Sequence, residues 1–270
     1  MSTLRQVFSY KNNMIGIIDS GSGGVNVINE CLKNFKQEFV YLVDNKNCPY
    51  GNKTFEELKK IVLSNIKYLV ENFKVDFIIL GCNTASSILD YKDYENLSCP
   101  IIKTYPDMYN LCKTTKQKGM LFATKNTIKY SKYVNYYLMN YKHILTLSIK
   151  ELPKMIDNKI SQNLRQIDKK IKKNLEKRLH FDKKLKNKYK NVKIIALGCT
   201  HFKHIREEIK EVFFNKVEFT YCEKRVAYIS KFFIKKQTEQ SKIKIILTAE
   251  DTQLKQSIKN MFDSNLTLIE

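Results

Sequence analysis

Two ten-residue segments of this chain can be laid over one another. Val75-Asp-Phe-Ile-Ile-Leu-Gly-Cys82-Asn-Thr84 and Val192-Lys-Ile-Ile-Ala-Leu-Gly-Cys199-Thr-His201 are each an apolar run that ends in Gly-Cys and small polar residues. A weaker pair lies upstream: Met14-Ile-Gly-Ile-Ile-Asp19-Ser20 resembles Lys118-Gly-Met-Leu-Phe-Ala123-Thr124, and Asp19 and Ala123 precede their Gly-Cys partners by 63 (82−19) and 76 (199−123) residues. Self-similarity on this scale predicts a duplicated structural unit, the second copy lengthened by an insertion.

The unit is of the α/β kind. Strands are expected at Met14–Asp19, Phe39–Val43, Phe77–Leu80, Ile101–Lys103, Met120–Ala123, Ile194–Leu197, Val217–Thr220 and Lys244–Thr248. Most are continuous apolar runs, as strands covered on both faces require. Phe55–Phe73, Thr127–Tyr141 and Phe202–Phe214 have the apolar spacing of amphipathic helices between them. Strand–helix alternation implies mainly parallel sheets flanked by helices, with sites beyond the carboxyl ends of the strands. Cys82 and Cys199 fall at such ends. There, backbone N–H groups at a helix start favour an anion, and a cysteine thiol is brought closer to ionising. The glycine before each cysteine allows close approach of backbone or ligand.

Two matched thiols facing one cleft suit a particular reaction. Inverting a carbon centre needs a proton removed from one face and returned on the other. Two bases on opposite sides do this without turning the intermediate over, one as thiolate and the other as thiol.

Composition excludes other classes. With 48 Lys+Arg against 27 Asp+Glu, the 270-residue chain carries +21, which attracts anions without specifying one. Apolar runs such as Phe77 to Cys82 are far shorter than the ~18–20 residues that cross a bilayer, so no membrane partner is expected. The N-terminal stretch 1–11 lacks the apolar core of a signal peptide and reads as a short arm. Seven cysteines, an odd number with no CxxC pair, fit reduced thiols in a cytoplasmic protein. Cys31, Cys99, Cys112 and Cys222 read as packing residues, and Cys48 as a non-catalytic thiol near the cleft.

Residues 158–193 hold 14 Lys+Arg against 3 Asp+Glu, with Leu164, Ile167, Ile171, Leu175 and Leu179 spaced three or four apart. This reads as a surface helix with one apolar stripe. A nucleic-acid contact is the alternative, weakened by the lack of interleaved aromatics or a reader motif. Ser22 is not in a G-x-S-x-G elbow and no phosphate-binding loop occurs, so Asp19-Ser-Gly-Ser-Gly-Gly24 reads as a tight strand-to-helix turn. Zinc at Cys199, His201 and His204 would lack further ligands of convincing spacing, so no metal is expected.

Ile18-Asp-Ser-Gly-Ser-Gly-Gly24, Pro49-Tyr50-Gly51, Gly81-Cys-Asn-Thr-Ala85, Thr124-Lys-Asn-Thr-Ile128 and Leu197-Gly-Cys-Thr-His-Phe202 together resemble glutamate racemase, of the aspartate/glutamate racemase superfamily, in the family's order and near its spacing. The resemblance spans residues 14 to about 215. It implies a cofactor-independent enzyme that interconverts L- and D-glutamate and supplies D-glutamate for peptidoglycan. It also implies two pseudo-symmetric, doubly wound α/β lobes with the site in the cleft between them: residues 12–104 plus 219–270, and residues 105–218. Cys82 would take the α-proton of D-glutamate, assisted by Asp19. Cys199 would take that of L-glutamate, assisted by His201. Ser20, Pro49, Tyr50, Gly51, Asn83, Thr84, Thr124, Thr127 and Thr200 fall on positions that hold the substrate, with Asp19 and His201 also beside it. Tyr50 has a core-aromatic reading as well. The family's supporting glutamate is matched by Asp157 or Glu151. His201 favours glutamate over aspartate, and a homodimer is compatible with the resemblance. The competing functions are a broader aspartate/glutamate racemase and a degenerate racemase retained as a nucleic-acid- or protein-binding module.

Overall fold

The structure is a computed structural model and describes residues 13–97, 99–113, 118–162, 165–180, 189, 191–213, 216–262 and 266–269. The expected arm at 1–11 lies outside these residues. Among the described residues ten strands are present: β1 (Met14–Asp19), β2 (Glu38–Val43), β3 (Phe77–Leu80), β4 (Ile101–Lys103), β5 (Lys118–Ala123), β6 (Leu145–Leu147), β7 (Val192–Gly198), β8 (Glu218–Thr220), β9 (Lys242–Leu247) and β10 (Thr267–Ile269). They form two sheets, in the orders β10-β9-β2-β1-β3-β4 and β6-β5-β7-β8. Every strand pairing is parallel.

The order β2-β1-β3-β4 in the first sheet is repeated by β6-β5-β7-β8 in the second. The duplication read from the sequence is therefore a duplication of topology: β1 corresponds to β5, and β3 to β7. In each half the strand order reverses at the step between these two central strands, and the carboxyl end of that step is where doubly wound sheets form their sites.

Alternate side chains of each central strand enter cores on opposite faces of its sheet, which explains the unbroken apolar runs. In the first sheet Phe39, Tyr41, Val43, Phe77 and Ile79 pack on one side, and Val40, Leu42, Ile78 and Leu80 on the other. In the second, Met120, Phe122, Ile195 and Leu197 face one core and Leu121, Ala123, Ile194 and Ala196 the other.

The helix Phe55–Phe73 has the bounds expected from its periodicity. Leu58, Val62, Ile66 and Leu69 are its buried stripe, Thr54 caps it by accepting from Glu57 N–H, and Lys74 ends it at φ 49°. Three expectations are revised. The single helix over 127–141 is two, Lys125–Tyr130 and Lys132–Asn140, because extended Ser131 ends the first while its side chain accepts from Val134 N–H and caps the second. The helix over 202–214 is a 3₁₀ segment, Thr200–Ile205, followed by an α-helix, Arg206–Val212. The three-residue strands β6 and β10 at sheet edges were not expected.

In the basic segment, helices Leu152–Gln162 and Arg165–His180 are formed. Ile171 and Leu175 are buried in the second lobe's core, anchoring the latter helix by about 2 kcal/mol each. Leu164 and the side chains of Ile167 and Leu179 lie outside the described residues. Among the described residues no helix is long and apolar enough to cross a membrane.

Candidate active site

The turns after β1, β3, β5 and β7 meet between the two sheets. Cys82 follows β3 as the residue before the short helix Asn83–Ile88, and Cys199 follows β7 before the 3₁₀ segment. Both are buried. Contrary to the expectation of a thiol closer to ionising, the Cys82 thiol is pushed up to about 12, chiefly by burial and also by Asp19 and Cys199, with the Ala85 N–H and His201 partly offsetting the rise. The two sulfurs are thus within electrostatic reach of one another.

Asp19 is fully buried at the end of β1. It accepts from Gly21 N–H at 3.1 Å and, across the cleft, from the Thr200 hydroxyl at 2.9 Å. Burial raises its pKa; His201, Thr200 and Gly21 pull the other way. Ser20 Oγ lies 4.0 Å from Cys82 Sγ.

A relay of three groups stands on the other side. Cys199 Sγ is 3.8 Å from His201 Nδ1, and His201 Nε2 is 3.1 Å from Asp157 Oδ2. Burial opposes charge on His201, but Asp157, reinforced by Cys199, outweighs it and holds the ring well above the usual imidazole range. Asp157 is correspondingly held below the usual carboxylate value: burial raises it, while His201 and the Ser22 hydrogen bonds lower it by more. Both shifts favour an imidazolium paired with a carboxylate. Asp157 projects from the helix Leu152–Gln162, and its second oxygen accepts from Ser22 N–H (3.0 Å) and Ser22 Oγ (2.5 Å). Of the two carboxylates matched to the supporting position, Asp157 is the one that meets His201. Glu151 is exposed and accepts from Asn52 Nδ2.

The glycine-rich turn after β1 is pressed against the opposite lobe. A Cβ on Gly21 would lie 2.0 Å from Asp157 Oδ2, and one on Gly23 2.3 Å from Thr200 Oγ1. Close approach is likewise required at Gly198, where a Cβ would be 2.6 Å from Ala123 Cβ, but not at Gly81, where the nearest atom would be 3.4 Å away. The atoms that crowd Gly198 belong to the side chains of Ala123, Leu121 and Pro106 rather than to backbone.

The remaining positions fall into two groups. Thr84, Thr124 and Thr127 form a hydroxyl triangle joining the lobes, with Oγ separations of 2.8, 2.9 and 3.3 Å. Asn83 is buried with neither carboxamide atom hydrogen bonded. These polar groups can turn to a carboxylate or an ammonium. Pro49 and Gly51 are half-buried, and Tyr50 between them is buried. A Cβ on Gly51 would be 2.9 Å from Thr124 Cβ, while the Tyr50 hydroxyl donates to Asp44 Oδ2 at 2.6 Å, with Asn65 bonded to both.

Three contributors had not been singled out for the site. Ser22 holds Asp157, Tyr41 donates to the Gly21 carbonyl, and Asn26 reaches the Thr200 carbonyl and His204. The glycines flanking Ser22 signal a close approach but not what approaches. Cys48 donates to Asp157 Oδ2 at 3.5 Å.

No protein-family model matches the chain. It is 34% identical over 216 residues to the glutamate racemase of Clostridium botulinum, covering 77% of this chain and 78% of that protein. It is 30% identical over 218 residues to that of Campylobacter concisus, covering 73% and 74%. Among solved structures, glutamate racemase isoform RacE1 of Bacillus anthracis superposes with a TM-score of 0.77 at 20% identity, over 97% of both chains. Escherichia coli glutamate racemase, in complex with L-glutamate and the activator UDP-MurNAc-Ala, gives 0.76 at 19% identity, over 96% of this chain and 98% of that one.

Proposed function

The chain belongs to the glutamate racemase family, and we propose that it interconverts L- and D-glutamate by two-base proton transfer between Cys82 and Cys199. The observation that carries the mechanism is the convergence of two topologically equivalent Gly-Cys turns on one buried cleft, locked across it by the Thr200–Asp19 hydrogen bond.

Glutamate lies with its α-carbon between the two sulfurs. Cys199 takes the α-proton of the L-enantiomer while Cys82, held as a thiol by burial, returns a proton to the opposite face; the roles swap for the D-enantiomer. The imidazolium of His201, fixed by Asp157, donates toward the Cys199 sulfur when it is anionic. Asp19 assists Cys82 through the polar end of β1. The α-proton is weakly acidic, so charge that develops on the α-carboxylate needs preorganised donors. Ser20, Asn83, the hydroxyls of Thr84, Thr124 and Thr127, and neighbouring backbone N–H groups would provide them. Exclusion of water by the closely docked lobes strengthens each contact.

Lys53, Lys125, Lys129 and Lys150 line a cavity that also reaches Gly51 and Thr124. Their charge draws anionic glutamate toward the cleft. We read residues 12–104 with 219–270 as one lobe and 105–218 as the other, supported by β9 and β10 joining β1–β4; β8 stays with the second sheet, so the return crossing falls after Thr220. A role in supplying D-glutamate for peptidoglycan, in the cytoplasm, accords with the family and with seven free cysteines. The racemase relatives do not favour the aspartate or nucleic-acid-binding alternatives.

The test is incubation of L-glutamate with the protein in D₂O. Formation of α-deuterated D-glutamate is expected, and Cys82→Ser or Cys199→Ser abolishes net inversion. A folded preparation giving neither D-isomer nor α-deuteration refutes the proposal.

A further inference from the structure

Three side chains meet beside the second sulfur in a way that proton transfer does not use as a set. Cys48 Sγ, Asp157 Oδ2 and His201 Nε2 lie within 4.8 Å of one another, the one cluster of metal-ligating atoms of this kind among the described residues. They come from three places in the chain: the loop after β2, the helix Leu152–Gln162 and the 3₁₀ segment after β7.

Two of the three donor separations are those of a coordination sphere, and the third is within 4.8 Å. Zinc binds thiolate at about 2.3 Å, imidazole at about 2.0–2.1 Å and carboxylate at about 2.0–2.2 Å with tetrahedral angles, so sulfur–oxygen and nitrogen–oxygen donor pairs stand roughly 3.5 and 3.3 Å apart. Here Cys48 Sγ is 3.5 Å and His201 Nε2 3.1 Å from Asp157 Oδ2. Each separation is now bridged by a hydrogen bond, and those bridging protons are what a cation would replace.

The outer contacts also suit a metal centre. Ser22 fixes the second Asp157 oxygen by two hydrogen bonds, leaving Oδ2 aimed at the cluster, and the far nitrogen of His201 faces Cys199. Such partners orient ligands and raise their basicity. Asp157 and His201 are buried and Cys48 is only partly so, which leaves an approach from the Cys48 side. Thiolate with imidazole selects zinc-class ions over the hard cations magnesium and calcium.

We propose that Cys48, Asp157 and His201 form a site for a zinc-class divalent cation, with a fourth position open to water. Occupancy forms metal–sulfur, metal–nitrogen and metal–oxygen bonds. It releases one proton from the Cys48 thiol and one from the His201 imidazolium to solvent, Asp157 already being a carboxylate. The site itself stands on geometry alone. Its consequence rests on the racemase reading: the bound ion withdraws His201 and Asp157 from Cys199 and stops turnover. The sequence reading of no metal considered Cys199 and His204 and passed over Cys48 and Asp157, which lie more than 40 residues from His201 along the chain.

The experiment is titration of the full metal-free chain with Co²⁺, followed by absorbance. One equivalent is expected to give a thiolate-to-cobalt charge-transfer band and tetrahedral d–d bands, bleached by Zn²⁺. With two protons released per ion, apparent affinity climbs by up to about 100-fold per pH unit while both groups are protonated. Cys48→Ser loses the charge-transfer band and binds at least about 100-fold more weakly, yet racemises in metal-free buffer like the parent. Cys48→Ala, checked for fold by circular dichroism, behaves alike. The Cys82→Ser/Cys199→Ser double variant keeps the band. Absence of the band in the parent, its survival in both Cys48 variants, or its loss in the double variant overturns the site. Because the band needs no turnover, it decides the site even if the racemase reading fails. A saturated site with unchanged turnover overturns the inhibitory consequence alone.

Discussion

Replacing Asp157 by Asn isolates the charge on His201. The carboxamide keeps the volume and can still accept from Ser22. Its Nδ2 faces His201 Nε2 as a donor, so the ring must present a lone pair there and keep its proton on Nδ1, toward Cys199. The contact to sulfur survives and the positive charge is lost, because burial already opposes ring charging and Asp157 is the group that overcomes it. A unit charge 3.8 Å from the sulfur is worth about 4 kcal/mol at an effective dielectric constant of about 20. Partial compensation by reoriented dipoles leaves about 2.7–4 kcal/mol, or a fall of roughly 10²–10³ in kcat/KM. Because enantiomers have equal free energy, both directions of racemisation must fall together. The assay is circular dichroism of racemisation combined with NMR detection of α-deuterium. Net inversion is expected to collapse while D-glutamate, whose proton Cys82 removes, still exchanges without inverting. The ratio of variant to parent activity should rise toward acid pH, where the unpaired ring regains its proton. A variant with parental kcat/KM, or a deficit that does not vary with pH in a folded protein, refutes the reasoning.

Other outcomes follow from the same contacts. Gly23→Ala forces a Cβ to within 2.3 Å of Thr200 Oγ1 and 2.9 Å of the His201 backbone nitrogen, so thermal unfolding should report a loss of about 1–3 kcal/mol and activity should fall with it. Gly81→Ala, with no atom nearer than 3.4 Å, should unfold close to the parent temperature; the reverse ranking would contradict the docking described here. Tyr50→Phe should lower stability by about 1 kcal/mol through the lost bond to Asp44 and leave KM unchanged, whereas a large rise in KM would place the hydroxyl on substrate. Urea unfolding of the parent and Asp157→Asn across pH should give a difference with two limbs. The raised His201 contributes fully below about pH 6.5 and is lost as pH rises through its folded value, while the lowered Asp157 contributes above about pH 4 and is lost as pH falls through its own, so a flat difference would exclude the ion pair.

Features carried by local periodicity were legible in the sequence. Central strands alternate between two apolar cores, so β1, β3 and β7 announced themselves as apolar runs, and the paired Gly-Cys endings marked equivalent places in two halves. Features decided by distant partners were not. Asp157 and Glu151 both precede the basic segment, but Asp157 sits inside the helix Leu152–Gln162 with its carboxylate on His201, while Glu151 lies just before that helix at the surface. Ser131 divides a helix because its hydroxyl finds Val134 N–H, a choice that apolar spacing does not register. β6 and β10, at sheet edges, are Leu-Thr-Leu and Thr-Leu-Ile and lack the consecutive isoleucines that mark the equally short β4. The resemblance put Tyr50 beside the substrate and left a core-aromatic reading open; the bond from its hydroxyl to Asp44, six positions earlier, was not legible from either.

The chain leaves the first sheet after β4 and returns to it after β8, so the two halves are joined by two covalent strands rather than one. Like a door hung at two points, the second half can swing about the line through both crossings but cannot twist freely or drift away. A motion that opened the cleft to a ligand would therefore carry the two sulfurs apart about that one line, as a single displacement of one half against the other.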